Sequence, residues 1–501
     1  MKANYQSVSS LCEICEATGQ SIVECRISGG EIATVLLSEP TVCLEKATCA
    51  NGEITYGGKL VVAFLYEDTE GRICRAERGA EFYHKAEHPS IAPAYTPIGG
   101  LSVQGIKVRR EGGQLVASCV VEGRFTVLGE VRHAYVSGGE GLCVQRSGVP
   151  VYNRYVATAT VEEEDEFECD FAQDVLVHTE SATITEVRSA IGEVGVSGEL
   201  CMQFCLLRED GSLCPYERMT PIKAQVLLDN VLPSTVCDAK MRILSARVAA
   251  ATDEERKKSK MVLSYQIEVE VCAYEKTEID FVVDAYSTEC ETMIKREKIA
   301  TRYALEAKNY TERIHGTPIF DVEGERGTLL AVVCPKSEVA LQRTENGWEA
   351  QGVVSGKALY AGAAGGVVGL DVALPFVMPL SGAELDGMAW QSAEAECTIY
   401  GFGLRVRADG ETEAEGTVRV RITPYAEVVS DYVCEVAEGA KKAKKTCAVS
   451  IYIPACGEDS WTLAKRLSMT EQELINGNPH LQFPLKGEER ILVYRQKREN
   501  L

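Results

Sequence analysis

Along most of the chain, apolar and polar residues alternate. "QIEVEVCAY" (Gln266 to Tyr274) and "TVRVRITPY" (Thr417 to Tyr425) keep a period close to two, which predicts strands with one solvated face. Other segments stay apolar for several residues and then break at a charged, glycine-containing turn. Setting "GKLVVAFLYEDTEGRIC" (Gly58 to Cys74) above "GELCMQFCLLREDGSLC" (Gly198 to Cys214) aligns 17 residues without a gap, 140 positions apart, with Gly, Leu, Phe, Gly and Cys identical. Each copy reads as a β-hairpin with an acidic turn. A fainter third copy, "NGWEAQGVVSGKALYAG" (Asn346 to Gly362), puts Gly356 where Gly58 and Gly198 stand. Another charged-turn hairpin follows each copy, beginning at Ile106, Ile243 and Cys397. The offset is a domain length rather than a solenoid period. A chain of 501 residues also suits several cores, at about one per 150 residues. The pattern predicts a mainly β chain with three related sandwich- or barrel-like modules in tandem, over 1–160, 161–315 and 316–435.

The pattern changes near the C-terminus. "AEGAKKAKKTC" (Ala437 to Cys447) is small and basic and predicts a linker over 436–447. "AVSIYIP" then reads as a strand ended by Pro454. Asp459 is placed to cap a helix carrying Trp461, Leu463, Ala464 and Leu467, and Leu463 and Leu467 share one face. Thr470 and Glu473 form a capping-box pair for a second helix, closed by Asn476-Gly477 with Pro479 just beyond. "ERILVY" (Glu489 to Tyr494) supplies a second strand. The unit predicted over 448–496 is βααβ, and its two strands need the helices packed on them.

Composition narrows the function classes. A hydrophobic content of 45 % and a charged content of 25 % are those of an ordinary globular protein. No apolar run approaches the roughly 18 residues that span a bilayer. The start, "MKANYQSVSSLCEICEATGQ", lacks the layout of a secretion signal. The expectation is a cytoplasmic chain with no membrane span. A net charge of −22 argues against nucleic acid, which demands a basic face. From Lys441 to the end there are eleven Lys/Arg and seven Asp/Glu, or +4, which leaves −26 for residues 1–440. An acidic body thus carries a mildly basic tail suited to docking separately.

Candidate chemistry is sparse. The twenty cysteines are scattered, often inside apolar alternation (Cys119, Cys201, Cys205). Free thiols acting as small hydrophobes are therefore expected. "CEIC" (Cys12 to Cys15) has no second pair at zinc-ribbon spacing and no strand before it. "HKAEH" (His84 to His88) lacks the metalloprotease order. "ITYGGKL" (Ile54 to Leu60) has Gly58 where a phosphate loop needs Lys. With six histidines in the chain, no Ser/Cys, His and carboxylate set stands out for nucleophilic catalysis. The residues imply a non-enzyme with no cofactor and no metal.

The tail resembles a LysM domain. That family's opening turn, Gly-Asp-Thr-x-Trp then Ile-Ala-Lys-Lys, is matched by Gly457, Glu458, Asp459, Ser460 and Trp461, then Leu463, Ala464, Lys465 and Arg466. Its mid-domain Asn-Pro turn is matched by Asn476, Asn478 and Pro479, and its Pro-Gly by Pro484 and Gly487 at a wider spacing. The repeated β modules, with their Gly-x-Leu hairpins and acidic glycine turns, look like the spore-coat structural (SPOCS) domain family. Several such modules followed by one LysM domain are similar to the clostridial spore morphogenetic proteins. That resemblance implies a coat scaffold in the mother-cell cytosol at the forespore surface. Its LysM domain would bind the coat-basement ATPase SpoIVA, with other coat proteins as further partners. The expected contact residues are Gly457, Asp459, Trp461, Lys465, Arg466, Asn478, Pro479, His480 and Leu481. The alternative implied by LysM domains in general is a grip on peptidoglycan or N-acetylglucosamine chains.

Overall fold

The computed structural model describes residues 2–170, 174–253, 258–322, 327–345, 347–362, 365–380, 392–407, 411–443 and 449–494. The protein is mainly β, built of several antiparallel sheets. A first set of strands comprises β1 (Lys2–Ser28), β2 (Ile32–Ala50), β3 (Glu53–Asp68), β4 (Ile73–Glu87), β5 (Thr96–Glu111) and β6 (Gln114–Glu140). A second comprises β7 (Cys143–Asp170), β8 (Asp174–Ala190), β9 (Glu193–Leu207), β10 (Leu213–Leu227), β11 (Val236–Asp253) and β12 (Lys258–Tyr286). In the third, β13 (Cys290–Ala304) and β14 (Lys308–Gly316) are followed by the short β15 (Ile319–Phe320), then β16 (Leu329–Thr344), β17 (Gly347–Ala361), β18 (Val367–Leu380), β19 (Ser392–Val406) and β20 (Thr412–Lys441).

The pairing order is the same in each set. One sheet is β1-β6-β5, then β7-β12-β11, then β13 and β14 along one edge of β20 with β19 on the other. The second sheet is β2-β3-β4, then β8-β9-β10, then β16-β17-β18 with β15 added. Within each set the apolar faces of the two sheets meet. One such core holds Ile54, Leu60, Phe64, Ala117, Val121 and Phe125. Another holds Val196, Leu200, Phe204, Leu263, Ile267 and Val271.

The glycine of the repeated hairpin has a physical reason. Gly58 lies opposite Leu44, where β2 bulges before Lys46. Gly198 lies opposite Ile184, where β8 bulges before Glu186. Gly356 faces the bulge of β16 between Val333 and Lys336. Each bulge pushes a carbonyl toward the central strand, and a missing Cβ leaves room for it. The turns closing the three hairpins also share one backbone pattern. Gly71 N–H donates to Asp68 O and Asp68 N–H to Arg72 O. The same two bonds recur at Gly211, Arg208 and Ser212, and at Gly365, Gly362 and Gly366. The three glycines take φ of 80°, 78° and 87°, which disfavours any side chain.

The first and last strands of each set run on past the sandwich as a two-stranded ribbon. Lys2–Cys12 pairs with 129–140, Cys143–Ala157 with 271–286, and Cys290–Ala304 with 425–441. The three ribbons pack on one another. Tyr135, Phe281 and Tyr432 share one buried cluster, with ring centroids 4.9 Å apart for Tyr135 and Phe281 and 5.1 Å for Phe281 and Tyr432. The residues that follow, Val136, Val282 and Val433, share the next cluster and are each 0 % exposed. One residue further on, at Ser137, Val283 and Cys434, each ribbon carries a β-bulge. Above these layers, Asp238 binds Arg421 (3.2 Å) and Tyr425 (2.8 Å), tying the second set to the third.

The ribbons correct the expected boundaries. Positions 160, 315 and 435 fall inside β7, β14 and β20, and the turns between sets lie at 141–142 and 287–289. The expected linker is also corrected in part. Residues 436–441 end β20 and pair with β13, from Val436 opposite Ile294 to Lys441 opposite Cys290, while 444–447 lie outside the described residues. Small and basic composition reads as a spacer, but the ladder to β13 decides the local structure.

Replacing Gly58 or Gly198 by Ala drives a Cβ into the carbonyl oxygen of Cys43 or Thr183. Each should cost about 1–3 kcal/mol in denaturant unfolding. Gly356→Ala meets its nearest atom, Val333 O, at 3.3 Å and should stay within about 1 kcal/mol of neutral.

Candidate functional site

The C-terminal cassette is built as β21 (Val449–Tyr452), α1 (Ser460–Leu467), α2 (Glu471–Gly477) and β22 (Ile491–Tyr494). Asp459 is the N-cap of α1, its carboxylate accepting from Thr462 N–H at 2.6 Å. Thr470 and Glu473 form the reciprocal capping box of α2, at 3.2 and 2.9 Å. Both caps satisfy amides that helices this short would otherwise leave open. Trp461, Leu463, Ala464, Leu467, Leu474, Ile491 and Val493 close the small core. The turn at Gly457 is tied to the segment leading into β22, because Gly457 N–H donates to Leu485 O (2.7 Å) and Leu485 N–H to Glu458 O (3.0 Å).

The expected contact residues divide by environment. Gly457 is exposed with φ 83°, a turn requirement. Pro479 and His480 are exposed, and Leu481 is half-buried against the cassette core. Arg466 donates to the buried carboxylate of Glu458 (2.5 Å) and lies over the Tyr452 ring, at 4.5 Å from its centroid. Asn478 requires correction as a loop contact, since it is 1 % exposed. Its side-chain amide donates to Leu474 O (3.0 Å) and Leu492 O (2.8 Å), and its oxygen accepts from Leu492 N–H (2.7 Å). It stitches the end of α2 to β22.

Trp461 and Lys465 face the body of the protein. The Trp461 indole N–H donates to Asp284 Oδ2 at 2.8 Å, and Lys465 Nζ donates to both Asp284 oxygens at 2.8 and 2.6 Å. Arg296 adds a third donor at 3.0 Å. Two residues along β12, Tyr286 packs edge-on against Trp461 at 4.8 Å and donates its hydroxyl to Met469 O at 2.8 Å. Lys465 therefore does not lie on an open side of its helix. Burial alone would raise the Asp284 carboxyl, but the bonds from Lys465 and Trp461 and the Lys465 charge outweigh it, so it sits below the ordinary value.

Elsewhere the residues singled out from the sequence have structural employment. His84 stacks edge-on against Tyr56 at 5.8 Å, and His88 Nδ1 accepts from Ser90 N–H at 3.2 Å. Cys12 and Cys15 lie within β1 on either side of a bulge. A cleft of about 250 Å³ between β9, β10, β16 and β19 is lined by Phe204, Tyr216, Val333 and Phe402. Burial pushes its Cys205 thiol up to about 12 and its Cys334 thiol well above the usual value. Its Glu217 is committed to Gln203 (2.7 Å) and Gly401 N–H (2.8 Å). Among the described residues, no group of three or more His, Cys, Asp or Glu is arranged to hold a metal ion, and no helix is long and apolar enough to cross a membrane.

No protein family, characterised relative or solved structure matches this chain.

Asn478→Ala removes the side-chain partner of Leu474 O, Leu492 O and Leu492 N–H and should cost the cassette about 2 kcal/mol or more, read from amide exchange of α2 and β22. Asp284 carries the pH dependence of docking. Its contribution is fully present above the ordinary carboxyl value of about 4 and is lost as pH falls through its lower folded value. Trp461 fluorescence, in a chain with Trp348 and Trp390 replaced by Phe, should report undocking in that acid window. Asp284→Asn should remove the transition.

Proposed function

We propose that the protein is a non-catalytic scaffold of SipL type. Its three sets of strands act as tandem SPOCS-like modules, and its cassette is a LysM-type domain that docks on the coat-basement ATPase SpoIVA, attaching coat layers to the forespore. The observation that carries this reading is the βααβ cassette itself, with Asp459 and Thr470 capping its two helices at the expected places. The threefold recurrence of pairing order supports a body made of repeated modules. The buried, protonated thiols and committed polar groups of the cleft lined by Phe204 and Phe402 speak for binding rather than catalysis.

A glycan reading places sugar at the turns Gly457–Trp461 and Asn476–Leu481. With Asn478 buried and Trp461 turned to the body, fewer side chains remain there to stack on or hydrogen-bond a sugar. Scaffold docking is therefore preferred.

Removing residues 447–501 should abolish binding to SpoIVA in a pull-down while the β sheets keep their cooperative unfolding. The intact chain should show no retention on soluble peptidoglycan fragments. If the 1–440 fragment binds SpoIVA as well as the full chain does, the assignment fails.

A further inference from the structure

The face of α1 turned to the body is occupied, and the occupant defines its chemistry. Asp284 and Tyr286 are two residues apart on β12, so both side chains leave the strand on one side. The cassette meets them with an indole N–H and an ammonium for the carboxylate, and with the Met469 carbonyl for the phenol. The Trp461 ring fills the space between, edge-on to Tyr286. A buried indole N–H needs an acceptor, and here that acceptor comes from outside the cassette.

The ribbons supply an internal comparison. Counted from the shared aromatic, valine and bulge, the places of Asp284 and Tyr286 are filled by Gly138 and Glu140 in the first ribbon. In the third they are filled by Glu435 and Ala437. Arg296 of the third ribbon also binds Asp284 (3.0 Å), but in neither other ribbon is a carboxylate at that place followed two residues later by an aromatic, so ribbon packing does not require the pair. Only the second ribbon carries that pair, and the cassette sits on it.

We propose that the Trp461–Lys465–Met469 face is a recognition site for an extended strand bearing an Asp-x-Tyr pair. Asp284 and Tyr286 occupy it within the chain, and a partner strand of the same chemistry displaces them. This rests on the reading of the cassette as the partner-docking module. The internal contact is small and is sustained by tethering. Lys442 is anchored to Ser287 O (2.8 Å) and Glu289 O (2.9 Å), beside Tyr286, and the cassette resumes at Val449. So short a tether gives an effective concentration on the order of millimolar. A partner that adds contacts at the exposed Pro479 and His480 wins the exchange without any change in the cassette itself.

The test uses a synthetic peptide with the sequence of Phe281–Thr288 and full chains keeping Trp461 as the sole tryptophan. The peptide should bind the D284A/Y286A chain, read by Trp461 fluorescence. It should bind the wild-type chain at least tenfold more weakly, because the site there is filled. A peptide with Asn for Asp should lose at least tenfold on the variant. If the double variant does not fold, D284N alone supports the same comparison. Equal binding to both chains, indifference to the Asn change, or no binding to the opened chain at millimolar peptide overturns the proposal. SpoIVA is absent from this assay, so failure here leaves the docking assignment standing. If both readings hold, the opened chain should bind SpoIVA at least fivefold more tightly than wild type.

Discussion

Three two-stranded ribbons hold one another in place, and the rest of the molecule is attached to them. Tyr135 and Val136 are neighbours, as are Phe281 and Val282, and Tyr432 and Val433, so on a strand they point to opposite faces. All six are nevertheless buried. A lone ribbon has water on both faces and is marginal at best. Burial on both sides is achieved because each ribbon packs against the other two. The bulge just beyond the valine redirects each ribbon at the same step, which keeps the three in phase.

This arrangement makes the sandwiches dependent on one another. Each ribbon is the continuation of strands that also form a sandwich sheet, so a sandwich cannot turn freely against its neighbours. Asp238 and Arg421 reinforce the constraint between the second and third sets. Both are buried, and Arg421 also donates to Ala239 O (3.2 Å) and Thr423 Oγ1 (3.2 Å). Such a pair adds little net stability once desolvation is counted, but losing one partner leaves the other charge buried. Its effect is to disfavour other dockings of the two sets more than to strengthen this one.

Much of this was legible, and the limits have physical causes. The alternation in 266–274 and 417–425, the glycine turns and the two helix caps are local signals, and each appears in the structure where the residues place it. The ribbons were not legible, because their strands pair the beginning of a set with its end, more than one hundred residues away. At their centres apolar side chains lie on both faces (Tyr135 and Val136, Phe281 and Val282, Tyr432 and Val433), which breaks the clean period of a half-solvated strand. "AYV", "DFV" and "DYV" do recur at 134–136, 280–282 and 431–433, but at spacings different from the 140-residue hairpin offset. The boundaries went astray for the same reason, since β7 carries the chain through position 160 without a turn. At Asn478 the Asn-Pro composition signals a loop, and nothing local reveals that the amide makes three bonds to backbone groups.

The placing of Trp461 follows a different logic. Within the cassette sequence it is an amphipathic residue at the first turn of a short helix, equally suited to a core or to a surface. The structure uses it as both, ring in the cassette core and N–H on Asp284, 177 positions away in sequence. The core half of that role is largely intrinsic, because the ring belongs to one buried cluster with Leu463, Leu467 and Leu485 of the cassette. The polar half is conditional, because an indole N–H can donate to any carboxylate of suitable geometry in place of Asp284. A group with one fixed and one exchangeable role lets a small domain change partners without refolding, and the ammonium of Lys465, bound to the same carboxylate, makes that exchange selective for acidic strands.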